Sequence, residues 1–291
     1  MPSRIQIAKP DIVDHFNNIN KRVLDQSDIY TILEENRSFW RLAQSMTSTS
    51  FVEFLVKNSQ LKIIRFNFPH RPIIKYVWGE VPIYEIIMSL KPNCYLTHYT
   101  AMYFHQLTDQ TPKIISVNVE QKPKLRNPSP LEQERIDNAF KRPTRLSKNI
   151  AEFKGYKIRL LNGLHTDDIG VMKFSGPEGE KLRITEIERT LIDIAVRPEY
   201  SGGVFEVLRA YRRARNNISV NRLAALLKKI DYIYPYHQVI GFYLEKAGSY
   251  TKSQIALLRR FKITYDFYLM HQIKEPEYSH QWRLYYPKGL S

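Results

Sequence analysis

The residues of this sequence that could perform chemistry do not form any of the common catalytic or phosphate-binding motifs. There is no GxxxxGK[ST] or GxGxxG loop, no HExxH zinc motif and no GxSxG nucleophile elbow. His98 and His105 are seven residues apart on a predicted helix, and the single cysteine, Cys94, cannot supply a thiolate cluster. We therefore expect both histidines to be packed or capped, and we predict no metal site and no cofactor.

A set of acidic residues comes close to a nuclease pattern. Such an enzyme would place one acid ahead of an acid-x-Lys pair near a hairpin, and Asp167 and Asp168 do precede residues 178–181 (EGEK). The position two residues before the lysine is Gly179, however, so the pair is incomplete. We interpret the segment as a charged surface turn and predict no catalytic residue and no enzyme. Metal-dependent cleavage of nucleic acid, which changes at Asp168 or Glu180 would abolish, stays open as an alternative.

The positive charge of the chain predicts a polyanionic partner. Lys and Arg number 44 against 29 Asp and Glu, a formal net charge of +15, which makes nucleic acid the leading candidate. Residues 1–80 hold 11 basic and 8 acidic side chains, residues 121–160 hold 11 and 4, and residues 205–265 hold 12 and 3. Most of the excess therefore lies outside the N-terminal part and indicates a second anionic partner, unless it is only a solvated basic surface.

The composition predicts a protein of the cytoplasm without a membrane partner. The first residues contain no apolar signal region, and no apolar stretch approaches the roughly 20 residues of a membrane helix. A single cysteine is typical of a protein in a reducing compartment. Hydrophobic residues make up 43% of the chain, enough to form one large or two ordinary cores.

Residues 1–80 show the pattern of a winged helix-turn-helix domain. The predicted elements are helices at 10–20, 25–36 and 47–57 and a hairpin of strands at 61–68 and 72–78. Pro10 fits the first turn of the first helix, and Asp25 and Ser27 can cap the second. Three short helices followed by a hairpin are typical of winged helices.

The DNA-facing residues follow from this pattern. The start of the recognition helix and the wing carry polar and cationic side chains suited to base edges and phosphates. These residues are Thr47, Ser48, Thr49, Ser50 and Lys57 in the helix and Arg65, His70, Arg71 and Lys75 in the wing. A winged domain that binds protein instead of DNA is the alternative.

Residues 81–291 predict a larger mixed α/β domain, so that the whole chain is α+β. Predicted helices lie at 82–90, 97–107, 203–215, 219–230, 235–247 and 251–260, and predicted strands at 113–120, 156–161, 169–175 and 181–184. Thr185 with Glu188 and Thr251 with Gln254 form candidate capping boxes, and Ser219 is a candidate cap. The segments 263–270 and 281–287 alternate aromatic residues and are predicted to return as strands to the earlier sheet. Residues 121–130 hold three prolines and three basic residues and predict a loop.

Of two groups of charged side chains in this region, we interpret the first as structural and the second as a candidate binding surface. Arg189 and Asp193 are spaced i,i+4 and are predicted to pair on a helix. A basic stripe that could bind an acidic protein surface or nucleic acid comprises Arg209, Arg212, Arg213, Arg215, Lys228 and Lys229. A solvated helix face is the alternative for the stripe.

Four segments resemble the AbiEi antitoxins of abortive-infection type IV toxin-antitoxin systems. They are residues 95–119, 184–203 (ITEIERTLIDIAVRPEYSGG), 207–230 and 236–248. Gln106 stands where this family usually carries a glycine in a His-Gly-Leu turn. The resemblance covers residues 81 to about 260 well and the N-terminal domain loosely. It implies an N-terminal domain that represses its own operon, and a C-terminal domain that antagonises an AbiEii-type nucleotidyltransferase toxin.

The sequence therefore predicts a DNA-binding autorepressor and antitoxin for phage defence, with domains at 1–80 and 81–291. Its expected partners are the cognate toxin and promoter DNA with inverted repeats, which would be bound by a dimer. A stand-alone transcriptional regulator, whose C-terminal domain only dimerises, is the alternative.

Overall fold

The computed structural model describes residues 2–123 and 130–290, and the chain divides into two compact units. The first comprises residues 1–92, 149–155 and 175–182, and the second comprises residues 93–148, 156–174 and 183–291. The first unit thus extends beyond the boundary predicted at residue 80, because it includes a further short helix whose Ile86 and Ile87 are buried. Of the loop predicted at 121–130, residues 124–129 lie outside the described residues.

Helices and strands are mixed along the described chain, which confirms the predicted α+β class. The helices are α1 (Arg4–Asn18), α2 (Gln26–Asn36), α3 (Ser48–Asn58), α4 (Ile83–Met88), α5 (His98–Phe104), α6 (Gln133–Phe140), α7 (Ile187–Val196), α8 (Val204–Ala214), α9 (Val220–Ile230), α10 (Tyr236–Lys246) and α11 (Lys252–Arg259). The strands are β1 (Val23–Leu24), β2 (Leu61–Phe66), β3 (Ile73–Trp78), β4 (Tyr95–Leu96), β5 (Ile114–Glu120), β6 (Ile150–Phe153), β7 (Tyr156–Gly163), β8 (Val171–Ser175), β9 (Lys181–Thr185), β10 (Phe267–Tyr268), β11 (Pro276–Ser279) and β12 (Leu284–Pro287). None of the described helices is both long and apolar enough to cross a bilayer.

The first unit is built from α1–α3 followed by the antiparallel hairpin β2–β3, and β1 pairs with β3 on its other side. These elements agree with the predicted helices and hairpin, except at the start of α1. That helix begins at Arg4 because Ser3 and Gln6 form a capping box, so Pro10 lies inside the helix and not in its first turn. The prediction for Pro10 was wrong because the cap lies upstream of it.

Aromatic stacking and one buried arginine organise the core of this unit. The Phe16 ring stacks on Trp78 with centroids 4.7 Å apart, and the Trp40 ring stacks on Phe51 at 5.8 Å. The guanidinium of Arg37 donates hydrogen bonds to the carbonyls of Ala43 (2.7 Å) and Met46 (3.0 Å). Arg37 thereby fixes the turn between α2 and α3, since one guanidinium bonds two carbonyls of the turn, and the Ala43 carbonyl also accepts from the Met46 backbone N–H at 3.0 Å.

The large sheet of the second unit has the strand order β7-β5-β4-β9-β8. Strand β5 is parallel to β7 from Ile114 opposite Lys157 to Glu120 opposite Gly163, and β4 is antiparallel to β5. The sequence predicted that the last strands return to this sheet. They instead form a separate sheet in the order β10-β12-β11. The sequence missed β11, which supplies the antiparallel partner of β12.

A glycine allows the last part of the chain to pack closely on α10. A Cβ atom at Gly241 would lie only 2.2 Å from atoms of the Trp282 ring, which is fully buried. The absence of a side chain therefore admits the indole against the helix backbone.

The predicted helices of the C-terminal region are confirmed as α8–α11. Ser219 caps α9 and Thr251 forms a capping box with Gln254 at α11, as predicted. The capping box predicted for Thr185 and Glu188 was wrong, because Thr185 belongs to β9 and α7 begins after Glu186. The Glu188 carboxylate instead accepts a hydrogen bond from the Ser219 backbone N–H at 2.8 Å.

Helix α5 ends in a Schellman motif. The N–H of Gln106 donates to the carbonyl of Tyr103 at 3.0 Å, and that of Leu107 donates to Met102 at 2.8 Å. Gln106 has φ +57°, in the left-handed region that glycine adopts without steric cost. The backbone geometry at residue 106 is thus one that favours glycine.

We expect Gln106→Gly to leave the free energy of unfolding unchanged or to raise it by up to about 1.5 kcal/mol. Relief of the left-handed backbone, about 1–2 kcal/mol, is offset by about 0.5–1 kcal/mol of glycine backbone entropy. Urea unfolding measures the change. The control is Gln44→Gly, at a turn residue without a positive φ, which should not gain stability. A loss of more than about 1 kcal/mol at residue 106 would contradict the prediction.

Candidate functional site

The start of α3 presents polar side chains on the surface of the first unit. Thr47 is the N-cap, and its hydroxyl accepts a hydrogen bond from the Ser50 N–H at 3.1 Å. Thr49 and Ser50 are exposed and Ser48 is half-buried, while Lys57 is exposed in the last turn. Of the predicted recognition residues, Thr47 therefore has a structural role, and the others have side chains that can reach a ligand.

The hairpin carries exposed cations around its turn. Arg65, His70 and Arg71 are all exposed. The Arg65 Nε donates to Asn67 Oδ1 at 3.0 Å, which orients the guanidinium near the end of β2. His70 and Arg71 lie in the turn between the strands. The structure thus brings three of the predicted wing residues to one end of one hairpin.

Lys75 does not belong to this exposed set. Its side chain is 4% exposed, and its Nζ lies 2.5 Å from Asp25 Oδ1. Lys75 shares a face of β3 with Ile73 and Val77, since alternate residues of a strand point the same way. The prediction that Lys75 contacts DNA was wrong, because the side chain is buried in an ion pair with the residue that precedes α2.

The basic stripe predicted on α8 and α9 is partly neutralised. Arg209 forms an ion pair with Glu206, and Arg213 forms one with Asp109. Arg212, Arg215, Lys228 and Lys229 are exposed, and Arg215 donates to the side chain of Asn216 at 3.2 Å. Lys228 also lines a groove of about 640 Å³ together with Arg260 and Lys262. The stripe is therefore a mixed-charge surface on α8 that becomes more cationic toward α9.

Arg189 and Asp193 form the predicted pair at the centre of the second unit. Arg189 Nε lies 2.8 Å from Asp193 Oδ1, and both side chains are buried. The other Asp193 oxygen accepts a hydrogen bond from the Thr97 hydroxyl at 3.0 Å, and Arg189 Nη1 donates to Thr166 and to the Ile169 carbonyl. Burial opposes the charge of Arg189, but the Asp193 carboxylate outweighs it and raises the pKa of the guanidinium above its ordinary value. The guanidinium of Arg189 therefore stays charged in its buried position.

The two histidines and the acidic set do not form a common site. His105 Nε2 lies 2.6 Å from the Thr185 carbonyl oxygen, whereas His98 Nδ1 lies 3.1 Å from the Thr97 hydroxyl. Asp168 forms an ion pair with Arg183 at 2.5 Å. Glu180 is buried and accepts a hydrogen bond from a backbone N–H of its own turn. Across residues 2–123 and 130–290, no group of three or more His, Cys, Asp or Glu side chains is placed to hold a metal ion.

Sequence reasoning missed two arginines, Arg145 and Arg197, which line a polar cavity of the second unit with Arg189. The available signals were the basic excess of residues 121–160 and the position of Arg197 at the end of the run 184–203. Neither signal identifies a cavity, because the residues that line it come from distant parts of the chain.

Comparison with known proteins identifies a fold but no family. No family model and no curated protein matches this chain. Among solved structures, the chain is similar to the RV2827C protein from Mycobacterium tuberculosis, with a TM-score of 0.60 and 14% sequence identity. The similarity covers 96% of this chain and 91% of that chain. At this level of identity it shows a shared fold alone.

The burial of Lys75 predicts that its substitution changes stability. We expect Lys75→Ala to lower the free energy of unfolding by about 1–3 kcal/mol, because it removes a charge-assisted hydrogen bond and buried methylene groups. Lys57→Ala, at an exposed position of α3, is the matched control and should stay within about 0.5 kcal/mol of the unchanged protein. Urea unfolding of both variants measures the difference. Equal stabilities would contradict the structural role of Lys75.

Proposed function

We propose that the protein is a DNA-binding autorepressor and antitoxin of a type IV toxin-antitoxin system. In this proposal the first unit is a winged helix-turn-helix that binds inverted repeats in its own promoter as a dimer. The second unit antagonises a nucleotidyltransferase toxin encoded beside it. The protein acts in the cytoplasm and catalyses no reaction itself.

The observation that carries the DNA-binding part is the exposed surface of α3 and the hairpin. Thr49 and Ser50 are exposed at the capped start of α3, and Lys57 is exposed in the last turn of the same helix. The hairpin adds Arg65 and Arg71. A recognition helix that begins with hydroxyl groups, together with a wing that carries arginines, matches the needs of base edges and phosphates.

The antitoxin part rests on the resemblance of residues 95–119, 184–203, 207–230 and 236–248 to AbiEi antitoxins. In this chain these segments correspond to α5 and β5, to α7, and to α8 to α10 of the second unit. Arg215, Lys228 and Lys229 give this unit exposed cations that suit an acidic toxin surface or the phosphates of DNA.

DNA binding should depend steeply on salt, with a contribution from the wing. We expect Arg65→Ala with Arg71→Ala to weaken binding to promoter DNA, and to reduce the slope of log K against log salt by up to about 1.8, at about 0.9 for each lost phosphate contact. Fluorescence anisotropy between about 50 and 200 mM salt measures the slope. Lys9→Ala, an exposed cation on α1, is the control. An unchanged slope in the double variant would remove the wing from the interface.

Repression and antitoxicity should separate by unit. We expect the Arg65→Ala, Arg71→Ala variant to lose repression of a promoter reporter but still to rescue cells that express the adjacent toxin. The physical reason is that both changes lie on exposed positions of the first unit and leave the second unit unchanged. The measurements are reporter output and cell survival on co-expression.

The unchanged protein provides the control for both measurements. If it fails to rescue cells, the antitoxin proposal is wrong and a stand-alone regulator is favoured. If the variant loses rescue together with repression, the assignment of the two roles to separate units is wrong.

A further inference from the structure

The second unit contains a polar cavity that the proposed function does not use. Its volume is about 630 Å³, within the range of about 300–1,000 Å³ that is typical of small-molecule sites. The lining comes from the edge of the sheet around β4, β5 and β7, from the end of α7, and from residues 145–147 and 232–236. All of these segments belong to the second unit.

The charge of the lining favours an anion. Arg145, Arg189 and Arg197 line the cavity, and the one acidic lining residue is Asp193, which Arg189 already pairs. Arg145 and Arg197 are exposed, and within residues 2–123 and 130–290 neither guanidinium group has a hydrogen-bond or ion-pair partner. Two unpaired guanidinium groups therefore remain at the cavity, and guanidinium groups bind phosphate oxygens in a bidentate geometry.

His98 is held at the cavity in a strained conformation. It has φ +53°, in the left-handed region, and its ring packs edge-on against Tyr200 with centroids 5.3 Å apart. Burial lowers the pKa of His98 to about 4, and the nearby Arg197 and Arg189 cations oppose its protonation, although Asp193 favours it. The ring is thus a neutral hydrogen-bonding group, and strain of this kind concentrates at binding and catalytic sites.

The remaining lining supplies aromatic faces and oriented polar groups. Tyr232, Tyr234 and Tyr236 line one side, and burial raises the pKa of Tyr236 to about 12, so its phenol stays neutral. The amide of Asn118 is fixed, because it donates to the Tyr95 hydroxyl at 2.7 Å and accepts from the Gly163 N–H at 2.9 Å. Tyrosine rings stack on nucleobases, because every base presents a π-face.

We propose that this cavity binds a nucleoside phosphate. Arg145 and Arg197 hold the phosphate groups, and the base lies against the tyrosines of residues 232–236. The combination of unpaired arginines with an aromatic wall distinguishes this ligand from inorganic phosphate, which needs no aromatic surface, and from a neutral nucleoside, which needs no arginines. The proposal is independent of DNA binding by the first unit and of toxin antagonism.

Isothermal titration calorimetry of the full chain without DNA tests the proposal. The probes are ATP, GTP, CTP and UTP, with inorganic triphosphate and the four nucleosides as comparisons. We expect at least one nucleotide to bind with one-to-one stoichiometry, more tightly than its nucleoside and more tightly than inorganic triphosphate. Arg145→Glu and Arg197→Glu should each weaken that binding by at least about tenfold, the loss expected for a charge-assisted hydrogen bond.

Arg135→Glu is the matched control, since it makes the same change of charge at an exposed position that does not line the cavity. The affinity of this control variant for the nucleotide should stay within about twofold of that of the unchanged protein. Three results would overturn the proposal: no nucleotide binds at millimolar concentration, both cavity variants retain full affinity, or the control loses as much affinity as they do. Binding of inorganic triphosphate as tight as that of every nucleotide would also overturn it, because the base would then have no role. Repression and rescue do not enter these measurements, so the outcome is separate from that of the proposed function.

Discussion

The buried pair of Arg189 and Asp193 connects three parts of the second unit, because it joins α7 to the start of α5 at Thr97 and to the loop that carries Thr166. Two charges removed from water gain little net stability from each other, but removal of one leaves the other buried without a partner, at a cost of about 3–5 kcal/mol. The helix cannot shift along its axis without breaking one of these contacts. The pair therefore fixes the position of α7, and with it the end of the helix where Arg197 meets the cavity.

The sequence could predict those parts of the fold whose signals lie within a few neighbouring residues. Helices α8 to α11 have caps and apolar faces encoded within a few residues, such as Ser219 before α9, and these predictions were correct. The strands β10 and β12 were recognised from their alternation, but not their sheet, because β12 pairs with β10 and with β11, and β11 (Pro276–Ser279) has no alternating apolar pattern. At Thr185 the local capping signal was overridden by pairing in β9, and the Thr185 hydroxyl instead lies 2.8 Å from that of Thr190.

Candidate sites were harder to predict than elements, since a charged residue looks the same in a sequence whether it is free or paired. Lys75 is an instance in which a signal was present: it shares one face of a strand with the apolar Ile73 and Val77, which favours a side chain directed toward the core. Arg213 carried no such signal, because its partner Asp109 is 104 positions away in the chain. The cavity had none either, since residues that are distant in sequence converge on it.

The net charge of +15 can be assigned to parts of the surface only after cations in internal ion pairs are distinguished from exposed ones. Lys75, Arg183 and Arg213 all have carboxylate partners within the protein, so they contribute little to the field that a partner experiences. Arg71 at the turn of the hairpin, and Arg145 and Arg197 at the cavity, are exposed without such a carboxylate in the described part of the chain. A paired arginine must give up its carboxylate before it meets a phosphate, whereas an unpaired one need not, so these exposed positions are where binding of a polyanion gains most.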